Sequence, residues 1–123
     1  MELLIRAYLE LIRFEIYLWR NDFAGLRKQV VRTEVVDGNL SSCQIDSICH
    51  SVDIACVWYW KRVLCLQRAA AATCLLRKCG ASAELVIGAQ QMPFKSHAWV
   101  EIHGQVVNDR QYLPEIYAVL DRC

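Results

Sequence analysis

The sequence predicts an α+β fold in which helices precede a small antiparallel sheet, because its residue pattern changes once along the chain, from helical to strand-like. Before Gly80, residues 66–78 (LQRAAAATCLLRK) are rich in strong helix formers and contain neither glycine nor proline. After Gly80, residues 83–87 and 97–102 alternate with the period of two that is typical of strands. A helical region followed by strands is typical of the α+β class.

The first 36 residues are predicted to form an amphipathic helical segment. Asn21, Asp22 and Gly25 interrupt it, so that residues 26–36 form a second, shorter helix. The wide apolar face favours packing on the rest of the domain, and docking to a partner or a membrane surface are the alternatives. The polar residues of the first helix trace one stripe: Glu2, Arg6, Glu10, Arg13 and Arg20.

The predicted core of the domain occupies residues 41–113. Ser41 and Ser42 offer an N-cap for a helix that runs to about Cys56, and residues 57–64 are rich in aromatic side chains but match neither period. The helix over residues 66–78 then ends at Gly80, a residue suited to a helix C-terminus. In the sheet, Gly88 and residues 92–93 are expected to end the first strand.

The composition excludes several classes of protein. A length of 123 residues suits a single domain, and a net charge of +1 offers no basic surface for nucleic acid. The longest uncharged run, residues 85–94, is too short to cross a bilayer. The seven cysteines are odd in number and match no zinc spacing, so we predict no metal and no cofactor. Free thiols and the lack of a basic leader indicate the cytoplasm.

Cys65 is the cysteine whose position predicts chemistry. It stands at the start of a predicted helix that lacks the usual Ser, Thr, Asp or Asn cap. There the unpaired N–H groups and the helix dipole stabilise a thiolate, with Lys61 and Arg62 close in sequence. The same N–H groups are suited to hold the oxyanion of a tetrahedral intermediate.

A thiolate nucleophile needs a partner that can protonate the leaving group, and histidine is suited to this near neutral pH. Of the three histidines, His50 lies within a predicted helix and His103 in a turn, whereas His97 begins a strand. Asp109 follows one strand later. A cysteine at a helix start, a strand histidine and an aspartate on the next strand occur in this chain order in papain-like and transglutaminase-like sites.

Two segments carry a family resemblance: CLQRAAAATCLLRKCGASAELVIGAQ, residues 65–90, and PFKSHAWVEIHGQVVND, residues 93–109. Together they resemble the transglutaminase-like leader peptidases of lasso-peptide biosynthesis, and the resemblance covers residues 49–113. It implies a transglutaminase/papain-like core in which the nucleophile lies at a helix N-terminus packed on a small antiparallel sheet. It also implies that Cys65 is the nucleophile, His97 the base and Asp109 the residue that orients it.

The resemblance also implies partners. The substrate would be a ribosomally made precursor peptide, cleaved between leader and core, and a separate asparagine-synthetase-like cyclase would close the ring. Some members carry an N-terminal winged-helix-type module that binds the leader. Residues 1–36 are too few and too apolar for such a module, so we expect the stand-alone form, with a separate leader-recognition protein.

Three tryptophans are candidates for substrate binding. Trp58 and Trp60 precede the nucleophile, and Trp99 shares the strand face of His97. Core packing is the alternative explanation for these aromatic side chains. Two alternative functions also remain at this point. One is an acyltransferase that uses the same triad with an amine acceptor, and the other is a non-catalytic peptide-binding subunit in which Cys65 belongs to the core.

The turn at Gly104 decides whether His97 and Asp109 share a face of the sheet. A two-residue type I′ turn would pair Ile102 with Gln105 and place Asp109 on the face opposite His97. A three-residue loop with Gly104 in a left-handed bulge would instead place Asp109 directly opposite His97. We predict the three-residue loop, a positive φ at Gly104 and a hydrogen bond between Asp109 and His97.

Overall fold

The computed structural model describes residues 2–91, 94–111 and 113–123. Its architecture confirms the α+β class, with a helical layer on one face of an antiparallel sheet whose strand order is β3-β2-β1-β4. The helices are α1 (Glu2–Trp19), α2 (Phe23–Arg32), α3 (Ser42–Val57), α4 (Cys65–Cys79) and the short α5 (Leu113–Ile116). The strands are β1 (Ala83–Gln90), β2 (Lys95–Ile102), β3 (Gln105–Val106) and β4 (Ala118–Arg122).

Helix α4 is the centre of the molecule. Its four alanines, residues 69–72, are completely buried and allow α1, α3 and the sheet to pack closely around it. Gly80 ends the helix with a left-handed φ of 109°, as the sequence predicts. Ser41 caps α3 through a reciprocal capping box with Gln44, which fixes the start of that helix.

Helix α1 packs on α3 and α4 through its apolar residues, including the fully buried Leu11 and Phe14. The predicted polar stripe is not wholly exposed, because Glu10 is buried and paired with Lys78 and Arg13. A second row of apolar side chains faces outward at alternating spacings of four and three residues: Ile5, Leu9, Ile12, Ile16 and Trp19.

The two faces of the sheet have different neighbours. Ala98, Val100 and Ile102 face α4 in the main core, whereas Trp99 packs on the other face in a smaller cluster that includes Leu113. Strand β4 pairs with the edge of β1 that β2 leaves free. It lies after residue 113, and the sequence analysis did not predict it.

The predicted end of β1 at Gly88 is wrong. The strand continues through Gly88 to Gln90, and this position needs glycine because a Cβ there would meet Trp99 at 2.7 Å and Tyr117 at 2.9 Å. Glycine therefore allows the Trp99 ring and the Cβ of Tyr117 to approach the strand closely, and it does not mark a turn. Residues 92–93, predicted to break the run, lie outside the described part of the chain.

The hairpin between β2 and β3 follows the two-residue turn, so our prediction of a three-residue loop is wrong. Ile102 pairs with Gln105 and Glu101 with Val106. Both turn residues have positive φ, 51° at His103 and 79° at Gly104, as a type I′ turn requires. The positive φ predicted for Gly104 is confirmed. No helix among the described residues is long and apolar enough to cross a membrane.

Candidate active site

The structure places Cys65 at the first residue of α4, with its side chain exposed. Leu64 occupies the N-cap and provides no side-chain hydrogen bond, whereas Asp22 and Ser41 cap α2 and α3. The first N–H groups of α4 therefore lack a capping side chain. They lie at the end of the helix that carries the Cys65 thiol. This is the electropositive environment that the sequence predicts for a reactive cysteine.

The loop before Cys65 is anchored to α1 rather than loose. Tyr59 is buried and donates a 3.3 Å hydrogen bond to Glu15, and Lys61 forms a 2.9 Å ion pair with the same carboxylate. Trp58 and Trp60 flank this anchor with exposed side chains, 75% and 71% accessible. The two tryptophans therefore offer apolar surface on the loop that leads to the thiol.

Trp99, the third tryptophan proposed to bind substrate, is completely buried. Its position contradicts that role, because no side-chain surface remains for a ligand. It packs instead against the His97 ring, with the centroids 6.2 Å apart, and donates a 2.8 Å hydrogen bond to Glu101. Glu101 is itself 1% accessible and pairs with Arg122 at 2.7 Å.

His97 and Asp109 are in direct contact. The distance from His97 Nε2 to Asp109 Oδ2 is 2.7 Å, so the hydrogen bond that we predicted is present. The other carboxylate oxygen, Oδ1, accepts a 2.8 Å hydrogen bond from the backbone N–H of Arg110. An ionised carboxylate can only accept hydrogen bonds, so the Nε2 atom of His97 donates to Asp109. The Nδ1 atom of His97 is then the nitrogen available to a thiol.

The environment of Asp109 favours its ionised form. Burial raises the pKa of the carboxyl, but the hydrogen bonds from His97 and from the Arg110 N–H outweigh it. The nearby charges of His97 and Arg68 act in the same direction, so that the pKa of Asp109 lies below its ordinary value. A carboxylate that stays charged can hold an imidazole in one tautomer and stabilise its protonated form.

One further aromatic contact holds the His97 ring. Tyr117, between α5 and β4, stacks on it at 5.7 Å between centroids, and also contacts Trp99 at 6.0 Å. A cavity of about 380 Å³ opens beside the ring, lined in part by Asp109, Leu113 and Tyr117. The chain segment after Asp109 thus contributes one wall of a space large enough for substrate atoms.

The link between α4 and the histidine pair runs through Arg68, which the sequence analysis missed. Arg68 lies one turn after Cys65 and donates a 2.8 Å hydrogen bond to the carbonyl oxygen of Asn108. It also binds Asp53 of α3 at 2.6 Å. Within the described residues, Cys65 and His97 form no direct hydrogen bond, and such pairs often tighten only when substrate binds.

Among the described residues, neither of the other two histidines is paired with a carboxylate as His97 is. His50 and His103 are both exposed, on α3 and in the hairpin turn. Burial raises the pKa of the Cys49 thiol to about 11 and raises that of the Cys74 thiol, which makes both poor nucleophiles. Across residues 2–91, 94–111 and 113–123, no group of three His, Cys, Asp or Glu side chains is arranged to hold a metal.

A helix-start cysteine beside a sheet that carries a histidine–carboxylate pair is the arrangement of papain-like and transglutaminase-like sites. Residues 8–122 match the family model of the transglutaminase-like superfamily, and the chain belongs to that superfamily. This match confirms the family resemblance seen in the sequence.

One curated relative is the microcin J25-processing protein McjB of Escherichia coli, which is 39% identical over 56 residues. The matched segment covers 46% of this chain but only 27% of that relative. No solved structure matches the chain significantly.

Proposed function

We propose that this chain is a cysteine peptidase that removes the leader from a precursor peptide of a lasso-peptide pathway. The observation that carries the proposal is the 2.7 Å contact between His97 and Asp109, in a superfamily member whose Cys65 begins an uncapped helix. The similarity to a microcin-processing protein supports the pathway. The roles are those of a triad: Cys65 the nucleophile, His97 the acid–base group and Asp109 the orienting residue.

In the proposed reaction, the Cys65 sulfur attacks the scissile carbonyl carbon and forms a C–S bond, while the proton from the thiol resides on His97. Backbone N–H groups at the start of α4 stabilise the resulting oxyanion. The C–N bond then breaks as His97 donates its proton to the leaving amine, which is the freed N-terminus of the core peptide. Water next attacks the thioester with His97 as base, which releases the leader carboxylate and regenerates the thiol.

The exposed Trp58 and Trp60 are proposed to contact the substrate on the approach to Cys65, because they extend from a loop held firmly to α1. We further propose that leader capture needs a separate recognition protein, and that an asparagine-synthetase-like cyclase uses the released core. The whole pathway would operate in the cytoplasm, where the free cysteines remain reduced.

The reactivity of the thiol tests the nucleophile without a known substrate. Iodoacetamide labelling at about pH 6 followed by peptide mapping should modify Cys65 before any other cysteine. Cys43 is a matched control, because it is also exposed and lies in the first turn of a helix, but Ser41 caps that helix, α3. Equal labelling of the two cysteines would contradict an activated Cys65.

Cleavage itself is tested with a lasso precursor peptide, with and without a separate leader-recognition protein. Cys65→Ala should abolish release of the leader in a mass-spectrometric assay, whereas Cys74→Ala and Cys79→Ala should retain it. We expect the chain alone to cleave slowly and the pair to cleave rapidly. A Cys65→Ala protein that still releases the leader would refute the peptidase proposal.

The same assay distinguishes the acyltransferase alternative. In the presence of an added primary amine, a hydrolase yields the leader as a free carboxylate. An acyltransferase instead yields a leader heavier by the mass of the amine minus water. The exposed position of Cys65 argues against the third alternative, in which this residue belongs to the core of a non-catalytic subunit.

A further inference from the structure

The hairpin register presents a problem for the His97–Asp109 contact. With Ile102 opposite Gln105, a regular ladder would bring Asp109 opposite Ala98. Adjacent residues of a strand point to opposite faces, so Asp109 would then lie on the face away from His97. The two side chains nevertheless meet at 2.7 Å, so the backbone must leave the regular ladder before Asp109.

The backbone ladder ends at Val107, and the side chain of Asn108 replaces its next bond. The backbone N–H of Val107 still donates to the carbonyl of Val100, at 3.0 Å. The return bond of a regular pair would run from the Val100 N–H to a backbone carbonyl. Instead, the Val100 N–H donates to the side-chain oxygen Oδ1 of Asn108, at 2.8 Å, and Asn108 is 8% accessible.

The amide of Asn108 thus satisfies a buried strand donor while its own backbone departs from the strand. The freed carbonyl of Asn108 points to α4, where Arg68 donates to it at 2.8 Å. The guanidinium is itself held by Asp53, through Nε at 3.0 Å and through its second nitrogen at 2.6 Å. The side chain of Asn108 is therefore hydrogen-bonded to β2, and its backbone carbonyl is hydrogen-bonded to α4, the helix that begins at Cys65.

We infer that Asn108 and Arg68 are positioning residues, which bend the chain out of the hairpin register and hold Asp109 on the face of His97 and beside the start of α4. This inference rests on the proposed function for its catalytic readout, but its geometric basis is independent of it. Neither residue contacts the reacting atoms, so each acts through Asp109.

A double-mutant cycle tests this role. Asn108→Leu removes the acceptor at similar volume, and Arg68→Met removes the donor to Asn108. Each should lower kcat for leader cleavage by about 10²-fold, the effect of misplacing a catalytic group, with little change in KM. In an Asp109→Asn background, both should have almost no further effect on kcat, because the residue that they position is already disabled.

Two control variants separate positioning from general stabilisation. Asn108→Asp keeps an acceptor oxygen at the same place and should retain most of the wild-type kcat. Asp53→Asn weakens the Arg68 ion pair but keeps the donor to the Asn108 carbonyl, so its kcat should also stay near the wild-type value. If the effects on kcat of Asn108→Leu and Arg68→Met add in full to that of Asp109→Asn, the positioning role is wrong.

A substrate-free measurement keeps the inference separate from the peptidase proposal. The carboxyl ¹³C signal of Asp109, followed by NMR as a function of pH, should report a pKa below the ordinary value in the wild type. In Asn108→Leu, which changes no charge, this pKa should return to the ordinary value of about 3.9. An unchanged Asp109 titration would refute the inference, whereas a wild type without cleavage activity would refute only the peptidase proposal. If Asn108→Leu does not fold, the inference is tested by the kcat values of the other two variants. The kcat of Arg68→Met should fall, whereas that of Asp53→Asn should stay near the wild-type value.

Discussion

Among single residues, Asp109 combines a short contact with His97 and a backbone donor from Arg110. Both interactions require its charged form, which is why its pKa is lowered despite partial burial. The carboxylate therefore links the orientation of the His97 imidazole to the stability of the domain. This link makes the role of the charge measurable without substrate.

We predict that Asp109→Asn reduces the free energy of unfolding by about 1–3 kcal/mol at neutral pH, the range for hydrogen bonds to charged groups. Since the folded-state pKa of Asp109 is depressed, its contribution is complete above the unfolded value of about 3.9 and disappears as pH falls through the lower folded value. Urea titrations at a series of pH values should show the two proteins converging only in that acidic range. A constant difference down to about pH 2 would contradict this origin.

The residues of the site were predictable from sequence to different degrees. Cys65 and His97 follow from an uncapped helix start and from the order of elements, both of which are local features. The contact of Asp109 could be proposed but its cause could not, since it depends on the amide of Asn108 replacing a ladder bond. Arg68 carried no signal, because an arginine early in a helix is ordinarily a solvent-exposed charge.

At the scale of elements, the boundaries of α3 and α4 agree with the sequence because caps are local, as at Ser41 and Gly80. The predicted boundaries of the second helix, residues 26–36, are wrong, because α2 starts after its Asp22 cap and ends at Arg32. The turn register was mispredicted because the two-residue turn needs a positive φ at His103, and a positive φ is uncommon for a residue other than glycine. In the structure, the type I′ turn matches the twist of its strands, which offsets this local cost. Strand β4 was missed because four of its five residues are exposed and show no alternation.

The two rows of α1 lead to a prediction about which face supports the fold. Leu11→Glu places a charge in the core and should destabilise the domain by more than about 3 kcal/mol, or prevent folding. Leu9→Glu, on the exposed row, should change the free energy of unfolding by less than about 0.5 kcal/mol. Thermal and urea unfolding measure both values. A large loss of stability in Leu9→Glu would show that the outward row is covered in solution.

We expect substitution by alanine to destabilise the protein by different amounts at Gly104 and at Gly88. Gly104→Ala meets no atom within 4 Å, so it should cost only the strain of a left-handed residue, about 1–2 kcal/mol. Gly88→Ala would place its Cβ 2.7 Å from the Trp99 ring beneath His97, and should therefore be the more damaging to both stability and kcat. Urea midpoints and cleavage rates test this order, and a Gly88→Ala protein as stable as Gly104→Ala would contradict it.

At the scale of the whole molecule, Arg77 joins the helical layer to the two neighbouring strands β1 and β4. Its Nε donates to the carbonyl of Ala83 at the start of β1, at 2.8 Å, and one terminal nitrogen donates to Val30 near the end of α2, at 2.6 Å. The other terminal nitrogen donates to the carbonyl of Cys123 after β4, at 2.8 Å. Arg77 lies in the last turn of α4, where its charge is also favourable to the helix dipole.

We predict that Arg77→Met lowers the free energy of unfolding by about 3–5 kcal/mol, because it leaves several partly buried carbonyls without their charged donor. Arg32→Met is a matched control, since it removes the same charge from an exposed position at the end of α2 and should cost less than about 0.5 kcal/mol. Hydrogen exchange adds a spatial readout. Arg77→Met should increase exchange together at the end of α2, at the start of β1 and along β4, because one guanidinium holds all three. If exchange increased only in α4, Arg77 would act as a local helix-end charge, and the packing of the two layers would have to depend on the apolar core alone.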